Sequence, residues 1–149
     1  MPARSRKQRL ARLAKTTPVC QRLMSVPGIG PVNATLLACH IGDPGRFANG
    51  RCFSASIGLV PRQHSSGGKE RLMSISKRGN GEVRRQLVHG ARAALRSFQR
   101  QQQPGRLARW ACALAARRGA AKATVALANK LGRICWAVMA RDTVYTATP

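Results

Sequence analysis

The C-terminal half of the chain carries a helical pattern that strongly limits its fold. From Asn80 onward, apolar side chains recur every three or four residues, with breaks at residues 101–105 and at Gly119. Asn80 is a typical N-cap residue, and the helix after it should bury Val83, Leu87, Ala91, Ala94, Leu95 and Phe98 on one face. The pattern predicts a mainly α protein in which residues 81–141 form a bundle of long helices.

Two prolines and two glycines near residue 30 predict a pair of short helices joined by a tight turn. Thr17 is expected to cap a helix that begins at Pro18, and a second helix should begin at Pro31. The spacing over residues 17–42 resembles a helix-hairpin-helix module, in which backbone amides meet nucleic-acid phosphates. The alternative is a plain helical hairpin that only packs. The residues that would contact phosphates are Gly28, Ile29 and Gly30, with the Ile29 side chain pointing into the junction.

The stretch of residues 58–80 concentrates the reactive groups of the chain. Its alternating pattern predicts a short extended arm or hairpin, with Ser65 and Ser66 directly before Gly67-Gly68. A hydroxyl among cations suits an oxygen nucleophile that attacks phosphorus, because negative charge develops there. A solvated basic turn is the alternative, since Ser-Gly-Gly is common in turns. The cations of this stretch are Arg62, Lys69, Arg71, Lys77 and Arg78.

The charge of the chain predicts a polyanionic partner. Its 27 Lys and Arg residues face only 4 Asp and Glu residues, which gives a net charge of +23. Nucleic acid is the leading candidate, and a structural role like that of a ribosomal protein is an alternative. An anionic membrane surface is disfavoured because the basic residues are spread over every segment. On the long helix the cationic face consists of Arg85, Arg92, Arg96 and Arg100.

Both ends of the chain are expected to lie outside one folded domain of residues 17–141. Residues 1–16 form a basic leader that we expect to become ordered only on a partner, although Leu10 and Leu13 share one helical face. Residues 142–149 are expected to form a frayed tail.

The cysteines and tryptophans are expected to fill the core rather than to bind ligands. The cysteines are odd in number and never in Cys-x-x-Cys spacing, which favours buried thiols over a zinc site or disulfides. His40 is expected to be a packed or capping histidine. The residues concerned are Cys20, Cys39, Cys52, Cys112, Cys135, Trp110 and Trp136.

No segment of the sequence has the pattern of a membrane span or a signal peptide. The longest uncharged run, residues 23–42, contains Pro27, Gly28, Gly30 and Pro31, and the basic N-terminus has no apolar region behind it. We therefore expect a cytoplasmic protein.

Several motifs together resemble the C-terminal domain of insertion-sequence transposases of family one-ten, including its eleven-eleven subgroup. The resemblance covers about residues 17–141. The motifs are Ser25-Val26-Pro27-Gly28-Ile29-Gly30-Pro31, Ile41-Gly42-Asp43, Arg46-Phe47, Gly58 to Lys69, Ile75-Ser76-Lys77-Arg78-Gly79-Asn80 and Val125-Ala126-Leu127-Ala128-Asn129-Lys130.

The resemblance implies a recombinase that moves DNA with a serine nucleophile. It assigns this role to Ser66, with Ser65 the second choice, and it implies an acidic, RuvC-like N-terminal half that holds Mg²⁺. It also implies DNA as substrate, a structured guide RNA in some members and an oligomer as the active form.

This chain departs from that family in its acidic residues. Its four acids are scattered, so we expect no metal site in the chain itself and Mg²⁺ only with a RuvC-like partner half. The sequence therefore predicts a truncated transposase that is inactive alone. The alternative is a catalytically inactive nucleic-acid-binding remnant that uses the helical hairpin and the basic helix. The acids are Asp43, Glu70, Glu82 and Asp142.

Overall fold

The structure is a computed structural model that describes the backbone of residues 3–149 and their side chains, except those of residues 3–4, 63–66 and 69–73. It is mainly helical, as predicted. The helices are α1 (Ala3–Thr16), α2 (Pro18–Leu23), α3 (Pro31–Ile41), α4 (Gly50–Ser56), α5 (Gly81–Phe98), α6 (Arg106–Arg118) and α7 (Ala120–Arg141), with a 3-10 turn at Pro44–Arg46. Two antiparallel strands, β1 (Pro61–Ser66) and β2 (Lys69–Ile75), form a hairpin between α4 and α5.

Helix α7 lies at the centre of the bundle and packs against α2, α4, α5 and α6. The predicted buried face of α5 is confirmed, because all six of its apolar residues are buried. Asn80 caps this helix as predicted, since its Oδ1 accepts from the backbone amides of Glu82 and Val83. On α7, Leu127 is fully buried, whereas Val125 is only half-buried.

The turn that joins α2 to α3 packs closely against α5 through two glycines. Gly28 has a φ of +78°, and a Cβ there would overlap the Gly90 carbonyl oxygen of α5. The Asn33 side chain donates from Nδ2 to the Gln86 carbonyl oxygen at 3.0 Å. Only glycine at both positions permits this approach, so the short helices and the long helix form one packed body.

The basic leader is a helix in this structure. α1 packs against α2 and α3, and Ala14 on it is fully buried. Leu10 is half-buried, whereas Leu13 is 56% exposed. Thr17 precedes α2 as expected, but its hydroxyl does not cap that helix and instead donates to the Leu13 carbonyl oxygen at 2.7 Å. The packed face of α1 therefore includes the small Ala14 side chain rather than Leu13.

The C-terminal tail, which was expected to fray, contacts the bundle at several of its residues. Asp142 Oδ1 lies 2.5 Å from Arg22 Nη2, and the Tyr145 amide donates to Ser25 Oγ at 2.8 Å. The Arg106 amide donates to the Thr148 carbonyl oxygen at 2.9 Å. These contacts tie the tail to α2 and to the start of α6.

The expectation that all cysteines are buried is correct for only part of the set. All five thiols are free, and Cys20 and Cys135 are buried, but Cys39 and Cys52 are exposed. Burial raises the pKa of the Cys20 and Cys135 thiols. Both tryptophans are half-buried at the edge of the core, and Trp136 Nε1 donates to the Pro44 carbonyl oxygen at 3.0 Å.

Candidate active site and nucleic-acid interface

The predicted hairpin is present, and its turn consists of two glycines. Ser66 ends β1 opposite Lys69 in the strand register, and Ser65 is opposite Glu70. Gly67 and Gly68 both have positive φ, +63° and +77°, as a two-residue hairpin turn requires. No described atom lies within 4 Å of the Cβ position of either glycine, so the described part of the chain does not pack against the turn there.

The reactive side chains at the tip of this hairpin lie outside the described residues. This applies to four of the predicted catalytic residues, of which the structure gives the backbone only. Their roles stay a prediction. These residues are Ser65, Ser66, Lys69 and Arg71.

The base of the hairpin is fixed to α4 and α5. Gly58 and Gly79 have φ of +75° and +80°; a Cβ on Gly58 would overlap the Arg78 backbone, and one on Gly79 the Ser56 carbonyl oxygen. Arg84 Nη1 donates to the Ile57 carbonyl oxygen at 3.0 Å and to that of Arg78 at 3.3 Å. Sequence reasoning missed Arg84, whose partner Ile57 lies 27 residues earlier in the chain.

Arg62, Lys77 and Arg78 are exposed beside this base. Arg62 Nη2 donates to the Ser76 carbonyl oxygen at 3.2 Å, across a register shift between the strands. A guanidinium has several N–H donors, so this bond leaves Arg62 able to bind a phosphate. Lys77 has a φ of +56°, which is uncommon for a residue with a Cβ.

The basic face of α5 is exposed but is not wholly unpaired. Arg92 and Arg96 are exposed on successive turns, and Arg100 is exposed just beyond the helix. Arg85 differs, because its Nη1 lies 2.6 Å from Glu82 Oε2. The cationic face therefore has an acidic partner, Glu82, at its first turn.

The turn predicted to contact phosphates is mostly used in packing. Ile29 points into the junction as expected and is only 5% exposed. Its amide donates to the Val26 carbonyl oxygen at 3.1 Å, and Gly28 lies against α5. Gly30 is exposed at the N-cap of α3. The structure therefore favours the packing role for Gly28 and Ile29 and leaves Gly30 at the surface.

Each acid whose side chain is described already has a partner within the chain. Asp43 Oδ1 accepts from the Gly45 amide at 2.9 Å, Glu82 pairs with Arg85, and Asp142 pairs with Arg22. Within the part of the chain that the structure describes, no three His, Cys, Asp or Glu residues lie close enough to hold a metal ion.

His40 is a packed histidine that joins α3 to the cap of α5. Its ring lies 6.1 Å from that of Phe53, and its Nδ1 is 3.4 Å from Asn80 Nδ2. Burial lowers the pKa of His40 below its usual range, and the Arg46 charge adds to this effect. The neutral ring is therefore the form that fits this junction.

The family relationship is shown by comparison with known proteins. Residues 20–106 match the model of the transposase IS116/IS110/IS902 family. The chain belongs to this transposase family. The match runs from α2 to the start of α6, so it includes the serine hairpin and most of the packed body.

Three curated relatives agree with this assignment. The chain is 49% identical over 125 residues to a "Probable family 20 transposase" of Pseudomonas aeruginosa, covering 84% of this chain and 36% of that protein. It is 47% identical over 138 residues to the transposase for insertion sequence element IS1111A of Coxiella burnetii, covering 93% and 37%. It is 47% identical over 126 residues to the transposase for IS1328 of Yersinia enterocolitica, covering 85% and 37%.

The transposase chain thus spans little more than a third of the length of these relatives. The resemblance inferred from its motifs is confirmed. Among the helices described here, none combines the length and apolar character that crossing a membrane requires.

Proposed function

We propose that this chain is the serine-carrying part of a DNA transposase, with Ser66 as the nucleophile for strand cleavage and rejoining. The observation that carries the proposal is the hairpin. The backbone of Ser66 ends β1 beside an open turn of two glycines, while Arg84 and the packed glycines fix the base. A nucleophile on a fixed arm can be held in line with a phosphate, which lowers the entropic barrier to attack.

The chemistry is phosphoryl transfer through a covalent intermediate. Ser66 Oγ forms a bond to a DNA phosphorus, and the bond from that phosphorus to one deoxyribose oxygen breaks. The serine proton leaves to a base, and the freed deoxyribose oxygen takes up a proton. Attack by the hydroxyl of another strand end then reverses these steps and releases the serine, so the number of phosphodiester bonds is unchanged and no energy source is needed.

The cations around the hairpin stabilise the charge that develops on the phosphate. Arg62 is placed at the hairpin base, and Lys69 and Arg71 lie on β2 opposite Ser66 and His64. A serine hydroxyl is a weak nucleophile at neutral pH, so it also needs a general base or a metal-bound base. The basic face of α5 and the residues Lys77 and Arg78 hold the DNA backbone without reading its sequence.

A divalent metal does not fit the described residues of this chain. Asp43, Glu82 and Asp142 lie in separate elements, and each already has a hydrogen-bond or ion-pair partner. We therefore assign Mg²⁺ to an acidic, RuvC-like half that this chain joins or accompanies. An oligomer and a guide RNA are further expected partners of the complete protein, and the chain alone is expected to bind DNA without cleaving it.

Reconstitution tests this function directly. The chain, fused to or mixed with the preceding part of a curated relative, should cleave DNA that carries insertion-sequence ends in Mg²⁺. Ser66→Ala should abolish cleavage, a loss of at least about 10³-fold, while DNA affinity changes less than about twofold because one neutral hydroxyl adds little to a phosphate-dominated interface. Ser97→Ala, at an exposed serine of α5, is the matched control and should keep full activity.

Three results would change the proposal. Cleavage by a Ser65→Ala/Ser66→Ala double variant would remove the serine mechanism. Nicking of plasmid DNA by the chain alone, if Ser66→Ala abolished it, would show that the chain needs no acidic half. Binding without cleavage in every combination would favour the alternative, a nucleic-acid-binding remnant.

A further inference from the structure

A cleft of about 810 Å³ lies between the base of the hairpin and helices α6 and α7. Its volume is within the range of about 300–1,000 Å³ of sites that hold small organic ligands. One wall is formed by Leu59 and Ile75 at the hairpin base, and the other by Trp110 of α6 with Val125 and Ala126 of α7. The cleft is at the end of the hairpin opposite the glycine turn, so it is separate from the proposed position of the nucleophile.

Cations line the same cleft. Lys122, Lys130 and Arg133 are part of its wall, and none of the described lining residues is acidic. Lys130 Nζ lies 4.1 Å from the centre of the Trp110 ring, which holds the ammonium group in the wall by a cation–π interaction. Burial lowers the pKa of Lys130, and the charges of Arg133 and Arg106 lower it further. An anion in the cleft would relieve this crowding of like charges.

A polar group in the wall also lacks a partner. Asn129 lines the cleft, and its Oδ1 is buried without a hydrogen-bond donor among the described residues. A buried acceptor that is left unsatisfied costs free energy. A rotation of this side chain would let a donor on a ligand satisfy it, and the edges of nucleobases carry such donors.

We propose that this cleft binds one unpaired nucleotide of a single-stranded nucleic acid, with the base against the apolar wall and the phosphate among Lys122, Lys130 and Arg133. The proposal rests on the proposed function, because exchange of cleaved strands exposes unpaired nucleotides. Grooves that bind single strands combine the same two features, a surface for bases and cations for the backbone. An apolar peptide would leave the three cations without an anion, so a nucleotide fits the cleft better.

The test compares two probes on the intact chain. One is a short single-stranded oligodeoxynucleotide, and the other has the same length and charge but carries abasic sites. Fluorescence anisotropy should show about tenfold tighter binding of the probe with bases. Ala126→Phe, which fills the cleft without changing charge, should reduce this ratio to less than about twofold. The matched control Ala140→Phe, at an exposed site of the same helix, should keep it.

The outcomes separate this proposal from the function on which it rests. Equal affinity of the unmodified chain for the two probes would overturn the proposal that the cleft binds a base. It would not contradict binding of the chain to phosphates. Failure to bind either probe would instead overturn the nucleic-acid interface itself. Ultraviolet crosslinking of a 5-iodouracil probe needs no variant and should map to the walls of the cleft, on α6, α7 or the hairpin base. Crosslinks confined to residues outside these walls would also overturn the proposal.

Discussion

Gly79 is the residue on which the packing of the hairpin base depends most visibly. Gly79→Ala places a methyl group against the Ser56 carbonyl oxygen in a left-handed backbone. We expect it to lower the free energy of unfolding by about 3 kcal/mol or more. Gly67→Ala is the matched control, because it has positive φ but open space around its Cβ, and it should cost about 1–2 kcal/mol at most. Urea unfolding measures both, and equal losses would contradict this account of the base.

His40 should make the stability of the chain depend on pH. Its pKa in the folded protein is below the ordinary value of 6.5, so the unfolded chain binds a proton more readily. The contribution of neutral His40 to the free energy of unfolding is fully present above about pH 6.5. It is lost as the pH falls through the pKa of His40 in the folded protein. In His40→Gln, the urea midpoint of unfolding should change less with pH between pH 7.5 and about 5 than it does in the unmodified chain. If the urea midpoint of the variant changed with pH as much as that of the unmodified chain, other groups would cause the pH dependence of stability.

Arg84 should decide whether the hairpin is held to α5. Arg84→Ala removes its donors to the Ile57 and Arg78 carbonyl oxygens, and we expect a loss of about 2–3 kcal/mol in unfolding free energy. Amide hydrogen exchange at Ser76 and Lys77, whose amides bond to Val60 and Gly58, should become faster. Arg85→Ala is the control. Its pair with Glu82 is on the surface and should be worth less than about 1 kcal/mol.

Elements set by local signals could be predicted from the sequence. Asn80 and the apolar face of α5, Pro31 at the start of α3, and the paired glycines of the hairpin turn all gave the correct element. Each of these features depends on neighbours within a few residues, so the local sequence pattern is enough to predict it.

Contacts between distant segments could not be predicted. The docked tail depends on Ser25 and Arg106, and Arg84 depends on carbonyl groups of the hairpin base. The cleft depends on where α6 and α7 meet β1 and β2, which no spacing encodes. By contrast, the position of Ser66 in the hairpin could be predicted from its neighbours. The pairing of Arg85 with Glu82 could also have been predicted, because the two residues are three apart on one helix.

The charge of the whole molecule should dominate its binding to nucleic acid. With a net charge of +23, the affinity for duplex DNA should fall steeply as salt rises and depend little on sequence. The double variant Arg92→Gln/Arg96→Gln should lower the slope of log affinity against log salt by about two. Arg117→Gln/Arg118→Gln removes the same charge from the end of α6 and is the control. Equal effects would mean that the face of α5 is not a specific contact.

The covalent intermediate is the most direct measure of the proposed mechanism. The chain joined to an acidic RuvC-like half should be incubated with DNA in Mg²⁺, denatured rapidly, digested and examined by mass spectrometry. The account predicts a nucleotide joined to Ser66 and lost in Ser66→Ala, and an adduct on Ser65 would move the nucleophile by one position. Efficient cleavage and joining with no adduct on either serine, even under rapid quenching, would contradict it.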